Sequence, residues 1–433
     1  AECILTVASS SNDKPDRSDT AQDPSRAFLV LLIGLTLVMN TLGRGVTETF
    51  AVFLLPVEKA LGATRSEISA TYSIYMIVNG FAAPFAGQLI DRLGARATYG
   101  AGLILLGSAY VLGSYAETLW HYYLTVGVLS GLGAACLGMV VASSLLSRWF
   151  TRGMGTKFAI PHAAVGAGML IIPPFTQDLM EFMSWRGAHQ VVGFVILALL
   201  PVVMMLPLNR MSAGSSEWQA LRAKVGASGT PVWTVGQALR TWAFWALFGV
   251  YFFTSVAAYA VLPQSVAFLV ERGFDPLVAA GAFGMTGALS AVGIVSDGWF
   301  SDRFGRRNAV VISKISTLTG ILSLLAMAWF PNIALLYAFV IFFGIMQGAR
   351  GPIITVMVAI LFRGGSIGAI YGTLSMAMGF GASFGSWGSG LLHDLTGDYV
   401  ASFTFAAIAS VTGLACYAGS RNLRREEPAD RPS

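Results

Sequence analysis

The sequence predicts an all-α membrane protein, twelve transmembrane helices in two pseudo-symmetric halves of six. Three observations predict it. The surface is too poor in charge for water, the apolar stretches are long enough to cross a bilayer, and motifs of the first half recur in order in the second. The chain has 433 residues, of which 55% are hydrophobic and 11% charged, and a mean hydropathy of +0.67. Soluble domains carry about 25% charged residues. This composition excludes soluble enzymes, nucleic-acid binders and disordered scaffolds together. Cys3, Cys136 and Cys416 lie far apart and make neither a disulfide framework nor a metal-ligand spacing.

A bilayer core of about 30 Å needs roughly 20 apolar residues per helix. After a polar segment at 1–26, the first half (27–207) offers spans at 27–56, 68–90, 97–115, 119–147, 158–177 and 187–207. The polar stretch 208–241 is the one long break and reads as a central cytoplasmic loop. The second half (242–419) offers 242–269, 275–297, 309–328, 334–361, 367–391 and 400–419, and 420–433 is a second polar tail. Every stretch is too long and too evenly apolar for the ten-residue alternation of a barrel strand. Helices, by contrast, satisfy their own backbone groups in lipid. The apolar run at the very start is too short for a signal-peptide core, so the first span is expected to insert uncleaved.

Positive charge sets the orientation. With the N-terminus inside, only Lys59, Arg65, Arg186 and Arg272 fall outside, and Arg44 and Arg350 fall within spans. The remaining 21 of the 27 Lys and Arg, Lys314 among them, fall on the cytoplasmic side. Both termini are therefore expected in the cytoplasm. The same bias explains a pI near 9.2 with no nucleic acid as partner.

The halves repeat. Gly87-Gln-Leu-Ile-Asp91-Arg92-Leu-Gly94-Ala-Arg96 follows the second span, and Gly298-Trp-Phe-Ser-Asp302-Arg303-Phe-Gly305-Arg-Arg307 follows the eighth, 211 residues later. Gly-x-x-x-Gly recurs at 127/131 and 344/348, and Gly-x-Gly at 166/168 and 379/381. Three matches in one order indicate a duplication.

The paired loop motif resembles the signature of the major facilitator superfamily, and the resemblance covers roughly residues 27–419. It implies two six-helix bundles around a central cavity, working by alternating access, with no cofactor and a monomer as the working unit. It makes the two turns gates: Gly87, Asp91, Arg92 and Arg96 in one, Gly298, Asp302, Arg303 and Arg307 in the other. Asp297, at the end of the eighth span, joins the second. The aspartates could pair with basic groups and hold one bundle against the other. Arg148-Trp-Phe-Thr-Arg152-Gly with Gly166-Ala-Gly168 is similar to the segment opening helix five in monocarboxylate and oxalate/formate porters. Thr49 to Pro56 and Arg65-Ser-Glu-Ile-Ser resemble the same branch. The acidic-Gly-x-Trp opening of helix one is absent, and the branch's arginine on helix eight is replaced by the stretch Thr286 to Ser290.

Charge inside a span costs about 2.5–3.5 kcal/mol at the centre of the bilayer, so it marks function or pairing. Arg44 and Arg350 each lie close to the middle of their spans, and the resemblance puts both on cavity-lining helices. Guanidinium forks match carboxylate or phosphate oxygens; a structural inter-helix pair is the alternative. Glu48 sits one turn after Arg44 on the same face. It is either a self-neutralising partner or a protonatable group coupling proton movement to anion binding. His162 could touch substrate or simply be bonded inside the bundle. Tyr75, Asn79, Tyr251, Tyr259 and Tyr371 are candidate donors to an anion.

His393-Asp-Leu-Thr-Gly-Asp398 has an acyltransferase-like spacing but sits in an outer turn with no companion motif, and no Walker lysine is present. The expectation is a non-enzymatic secondary transporter of a small organic anion, a monocarboxylate or short dicarboxylate, in the bacterial inner membrane. Proton symport is the expected mode. Anion exchange of the oxalate/formate or organic-phosphate type, and proton-driven efflux of a drug-like solute, are the alternatives.

Overall fold

A computed structural model describes residues 25–149, 154–215, 235–304, 306–362, 367–421 and 423. Among these the chain is helical, with no strand. Span 1 runs Arg26–Glu48 and, after a slight break at Thr49, Phe50–Leu61, carrying Pro56 within its second part. Spans 2 and 3 form one helical stretch, Arg65–Gly113, folded back at Gly94 (φ 78°, ψ 179°), a conformation open to glycine. Thr64 starts it with a capping box: its hydroxyl accepts from the Glu67 N–H, and the Glu67 carboxylate accepts from the Thr64 N–H.

Span 4 (119–149) is less regular than its apolar sequence predicts. It contains a π-helical stretch, Tyr123–Leu129, and a break at Gly138. Spans 5 to 9 are Met154–Phe182, Trp185–Met205, Trp242–Glu271, Pro276–Phe304 and Arg306–Met327. Spans 10 to 12 are Ile333–Leu361, Ile367–Thr396 and Val400–Gly419. Several spans run beyond the apolar stretches, from a residue or two up to about two turns at the end of span 8.

The repeated glycines perform the same packing task in both halves. In span 4, a Cβ at Gly127 would meet Ile74 and the Thr71 carbonyl, and one at Gly131 would meet Val78 and the Tyr75 carbonyl, all on span 2. In span 10, Gly344 lies against Thr286 and Gly348 against Ser290, both on span 8. In span 5, Gly166 faces Gly287 of span 8 in the other half, while Gly168 faces Thr41 and Gly45 of span 1 in its own. In span 11, Gly379 faces Met76 of span 2 in the other half, and Gly381 faces Phe252 of span 7 in its own. Spans 2 with 11 and 5 with 8 are thus the seams between halves, and small residues let the backbones approach.

One expectation changes here. Lys314, counted with the cytoplasmic charges, lies eight residues inside span 9 and is buried.

Candidate functional site

The centre of the molecule holds a compact polar cluster. Arg44 projects from span 1, and its Nη2 donates to Glu48 Oε1 at 2.6 Å, the i,i+4 neighbour expected from helical spacing. The same nitrogen donates to the Tyr259 hydroxyl of span 7 at 2.9 Å, and Nη1 reaches the Tyr75 hydroxyl of span 2 at 3.5 Å. One guanidinium therefore touches both halves. The Tyr72 hydroxyl lies 3.1 Å from each Glu48 oxygen, and the Thr47 hydroxyl donates to Tyr75 at 3.0 Å. The rings of Tyr75 and Tyr259 pack at a tilt against that of Tyr72, with centroids 5.5 and 5.9 Å from it. Glu48 is 2% exposed, whereas the Arg44 side chain keeps 20%.

Asn79 is directed elsewhere, donating to the Gly131 carbonyl of span 4 at 3.3 Å. Tyr251 contacts the Met378 sulfur and lies beside Tyr371, within electrostatic reach of Tyr259 and Arg44. His162, Arg350, Asp297, Gly298, Asp302 and Arg307 fall outside the residues whose surroundings are described. Thr286 and Ser290, standing where the porter branch carries an arginine, bond to carbonyls of their own helix. Among the described residues of the cluster, the cation is Arg44 of span 1. Tyr72 was not singled out from the sequence; its spacing of three from Tyr75 was the available signal, since both fall on one helical face.

Two charged clusters stand at opposite ends of the first half. At the end away from the chain termini, Arg65 is 2% exposed and grips Glu58 at 2.5 Å and Glu271 at 2.7 Å. It also donates to Tyr399 and to Gln264 Oε1. Asp394 caps the start of span 2 by accepting from the Arg65 and Ser66 N–H groups at 2.9 and 2.8 Å. Below them, Ser73 and Ser383 exchange hydroxyl-to-carbonyl bonds across the seam at 2.8 and 2.7 Å. Arg65, counted from sequence among the outer charges, is buried because its side-chain partners Glu58, Gln264, Glu271 and Tyr399 come from the preceding helix, span 7 and the turn before span 12.

At the terminus end, Asp91 pairs with Arg148 at 2.5 Å. Arg148 Nη1 also donates to the Ser212 carbonyl, and the Trp149 indole donates to that of Met211. The Ser212 hydroxyl accepts from the Ala95 N–H at 2.7 Å, and Arg96 donates to the Met204 carbonyl. The short helix Leu208–Ala213 is thereby clamped to the first loop motif. These Asp91 contacts stay within the first half, contrary to the expectation that it would pair across the bundles. Arg92 is exposed, Gly87 lies against Val140 of span 4, and Arg303 is exposed at the matching turn of the second half.

A bundle of twelve membrane-crossing helices, divided by seams between similar halves and holding a mid-depth cation that both halves touch, defines a multi-pass membrane transporter rather than an enzyme. The sequence matches the Major Facilitator Superfamily over residues 33–324 and 291–433, and the chain belongs to that family. It is 28% identical over 394 residues to Monocarboxylate transporter 13 of Bos taurus, covering 91% of this chain and 89% of that protein. It is 25% identical to Monocarboxylate transporter 12 of Mus musculus, covering 92% and 86%. It is 24% identical to the MFS-type transporter YcxA of Bacillus subtilis, covering 82% and 85%. Among solved structures, a bacterial homologue of the lysosomal transporter Spinster superposes with a TM-score of 0.70 at 14% identity, covering 94% of this chain and 99% of that one. A D-xylose-proton symporter does so with 0.70 and 14%, covering 91% and 98%.

Proposed function

We propose that this transporter carries a small organic anion, a monocarboxylate or short dicarboxylate, together with a proton by alternating access. The observation that carries this reading is Arg44: a mid-span guanidinium, partly exposed, that bonds an acid of its own helix and a phenol of the opposite half. The relatives named as monocarboxylate transporters support the substrate class. An arriving carboxylate can take the fork in bidentate fashion, with Tyr75 and Tyr259 as further donors. Arg350, His162 and Tyr371 complete the proposed binding set.

Glu48 then loses its counter-charge while still 2% exposed. A buried carboxylate without its cation is costly, and taking up a proton removes that cost. Anion and proton consequently bind with positive coupling, which linkage makes reciprocal. The loaded site is nearly neutral and can cross between the two facing states.

In this reading the membrane is a bacterial inner membrane, the basic bias supports cytoplasmic termini, and the Arg65 cluster closes the outer mouth. Asp91 affects the switching rate by bracing the first half from within, Asp302 stands at the matching turn of the second, and the working unit is a monomer. The test is Glu48→Gln in proteoliposomes. The variant is expected to exchange labelled monocarboxylate near the parent rate while an inward proton gradient no longer drives accumulation. Accumulation as steep as the parent's would leave Glu48 as only the structural partner of Arg44.

A further inference from the structure

His393 stands in the Arg65 cluster, near the end of span 11, and is half-buried. Its ring packs at a tilt on that of Tyr399, with centroids 4.5 Å apart. The Arg65 guanidinium faces the same Tyr399 ring, 5.6 Å from its centroid, and donates to its hydroxyl. The spacing of His393 to Asp398 fits no catalytic set. Its place in the fold, where Arg65 of the first half is held by residues of the second, gives it a different task.

Four charged groups lie within electrostatic reach of the imidazole: Arg65 of span 2, Glu271 at the end of span 7, Asp394 of its own helix and Asp398 of the turn before span 12. Each of the three carboxylates serves another donor. Glu271 accepts from the Arg65 guanidinium at 2.7 Å. Asp394 accepts from the Arg65 and Ser66 N–H groups at 2.9 and 2.8 Å, and Asp398 from the Val400 N–H at 2.9 Å. The His393 Nδ1 is closed off from solvent and has no hydrogen-bond partner.

A neutral imidazole can leave one nitrogen idle as an acceptor, whereas an imidazolium is a donor at both. A buried charged donor that meets no acceptor carries a larger penalty than a neutral one. The closed cluster therefore suits the neutral ring, and Arg65 repels the charged one. Opening reverses both effects. Glu271, Asp394 and Asp398 belong to the second half and stay with His393, while Arg65 leaves with the first. Glu271 and Asp394 then lose their Arg65 donors and can accept from the imidazolium, and water reaches Nδ1. A ligand that binds one of two states better shifts the balance toward it. Here the ligand is a proton.

We propose that His393 is a second proton site, separate from Glu48, and that its protonation releases the Arg65 cluster. The inference rests on the reading of that cluster as the closure of the outer mouth. An acidic exterior then unlocks the transporter on the side from which a co-transported proton enters. Imidazole is the side chain whose charge ordinarily changes between about pH 5 and 8, so the switch works in the physiological range.

The test uses the full-length purified transporter in detergent, without substrate, with Ser73→Cys as reporter in a background lacking the native cysteines. Maleimide labelling is read relative to the same protein unfolded at the same pH, which cancels the pH dependence of the thiol. Between about pH 8 and about pH 5.5, relative labelling of the parent is expected to rise about tenfold, equivalent to ~1.4 kcal/mol. His393→Gln should stay near the parent's alkaline level throughout. His393→Lys, which carries a fixed cation, should label near the parent's acidic level at every pH in that range. A parent with no pH response, a His393→Gln protein with the full response, or a lysine variant as closed at alkaline pH as the parent would overturn the site. A response lost in Glu48→Gln and kept in His393→Gln would overturn it too, by assigning the switch to the coupling carboxyl. Labelling needs neither substrate nor gradient, so its failure is distinct from a failure of proton-driven accumulation at Glu48.

Discussion

Arg65 and Arg148 are built alike and joined differently. Each is a nearly buried arginine at a span end, holding a carboxylate at 2.5 Å and donating to groups around it. Arg65 draws Gln264, Glu271 and Tyr399 from the second half, so these three bonds exist only while the halves meet at that end, while its pair with Glu58 stays within the first half. Arg148 draws Asp91, Ser212 and the Ile90 carbonyl from the first half and its following helix, so these bonds survive any rocking of one half on the other. The lesson is that burial and short ion pairs do not by themselves mark a gate. What matters is whether the partners lie on bodies that separate. In the proposed cycle, the Arg65 cluster is made and broken at each turnover and the Arg148 cluster is permanent framework.

The largest effect is expected at Arg65. Removing one partner of a buried pair costs about 3–5 kcal/mol, and the partial exposure of Glu58 and Glu271 reduces that to roughly 2 kcal/mol. Since 1.4 kcal/mol is tenfold, Arg65→Ala should shift the balance toward the outward-open state by about 30-fold. Labelling of a cysteine placed at Ser73, in a background without the native cysteines, reads this directly. Unchanged labelling with a lowered unfolding temperature would make Arg65 a framework residue and dissolve the comparison.

Arg148→Ala should do the reverse. It leaves the Ser212 and Ile90 carbonyls without their donor, at about 1–3 kcal/mol, so the unfolding midpoint should fall by several degrees. Outer labelling should stay near the parent's. A labelling shift as large as that of Arg65→Ala would show that the helix at 208–213 is itself a moving part.

Asp91→Asn is expected to be milder, because the Asp91 side chain is 58% exposed and its pair is partly screened. Uptake should slow a few-fold with substrate affinity preserved, as measured by initial rates over a concentration series. Ser383→Ala should be smallest. It removes one hydroxyl-to-carbonyl bond from the seam, about 1 kcal/mol, and should raise outer labelling by no more than about fivefold. A graded series from Ser383 to Arg65 would sharpen the picture of a seam that opens from its charged rim inward.

The sequence by itself determined the twelve spans, because twenty apolar residues in lipid have little choice but helix. It determined the duplication too, because glycines at fixed spacing have to seat a partner helix, and they seat equivalent partners in both halves. The Arg44–Glu48 pair was equally legible, since a four-residue spacing on one helix fixes the contact. Tertiary structure alone decided everything that depends on meeting across sequence distance. It put Tyr259 on Arg44 across 215 residues, turned Asn79 to a carbonyl of span 4, and buried Arg65 under residues 264 to 399. It also kept Asp91 within its own half and set His393 against Tyr399 in the Arg65 cluster. Local periodicity says which face of a helix a residue occupies; which helix stands opposite that face is a property of the packed bundle.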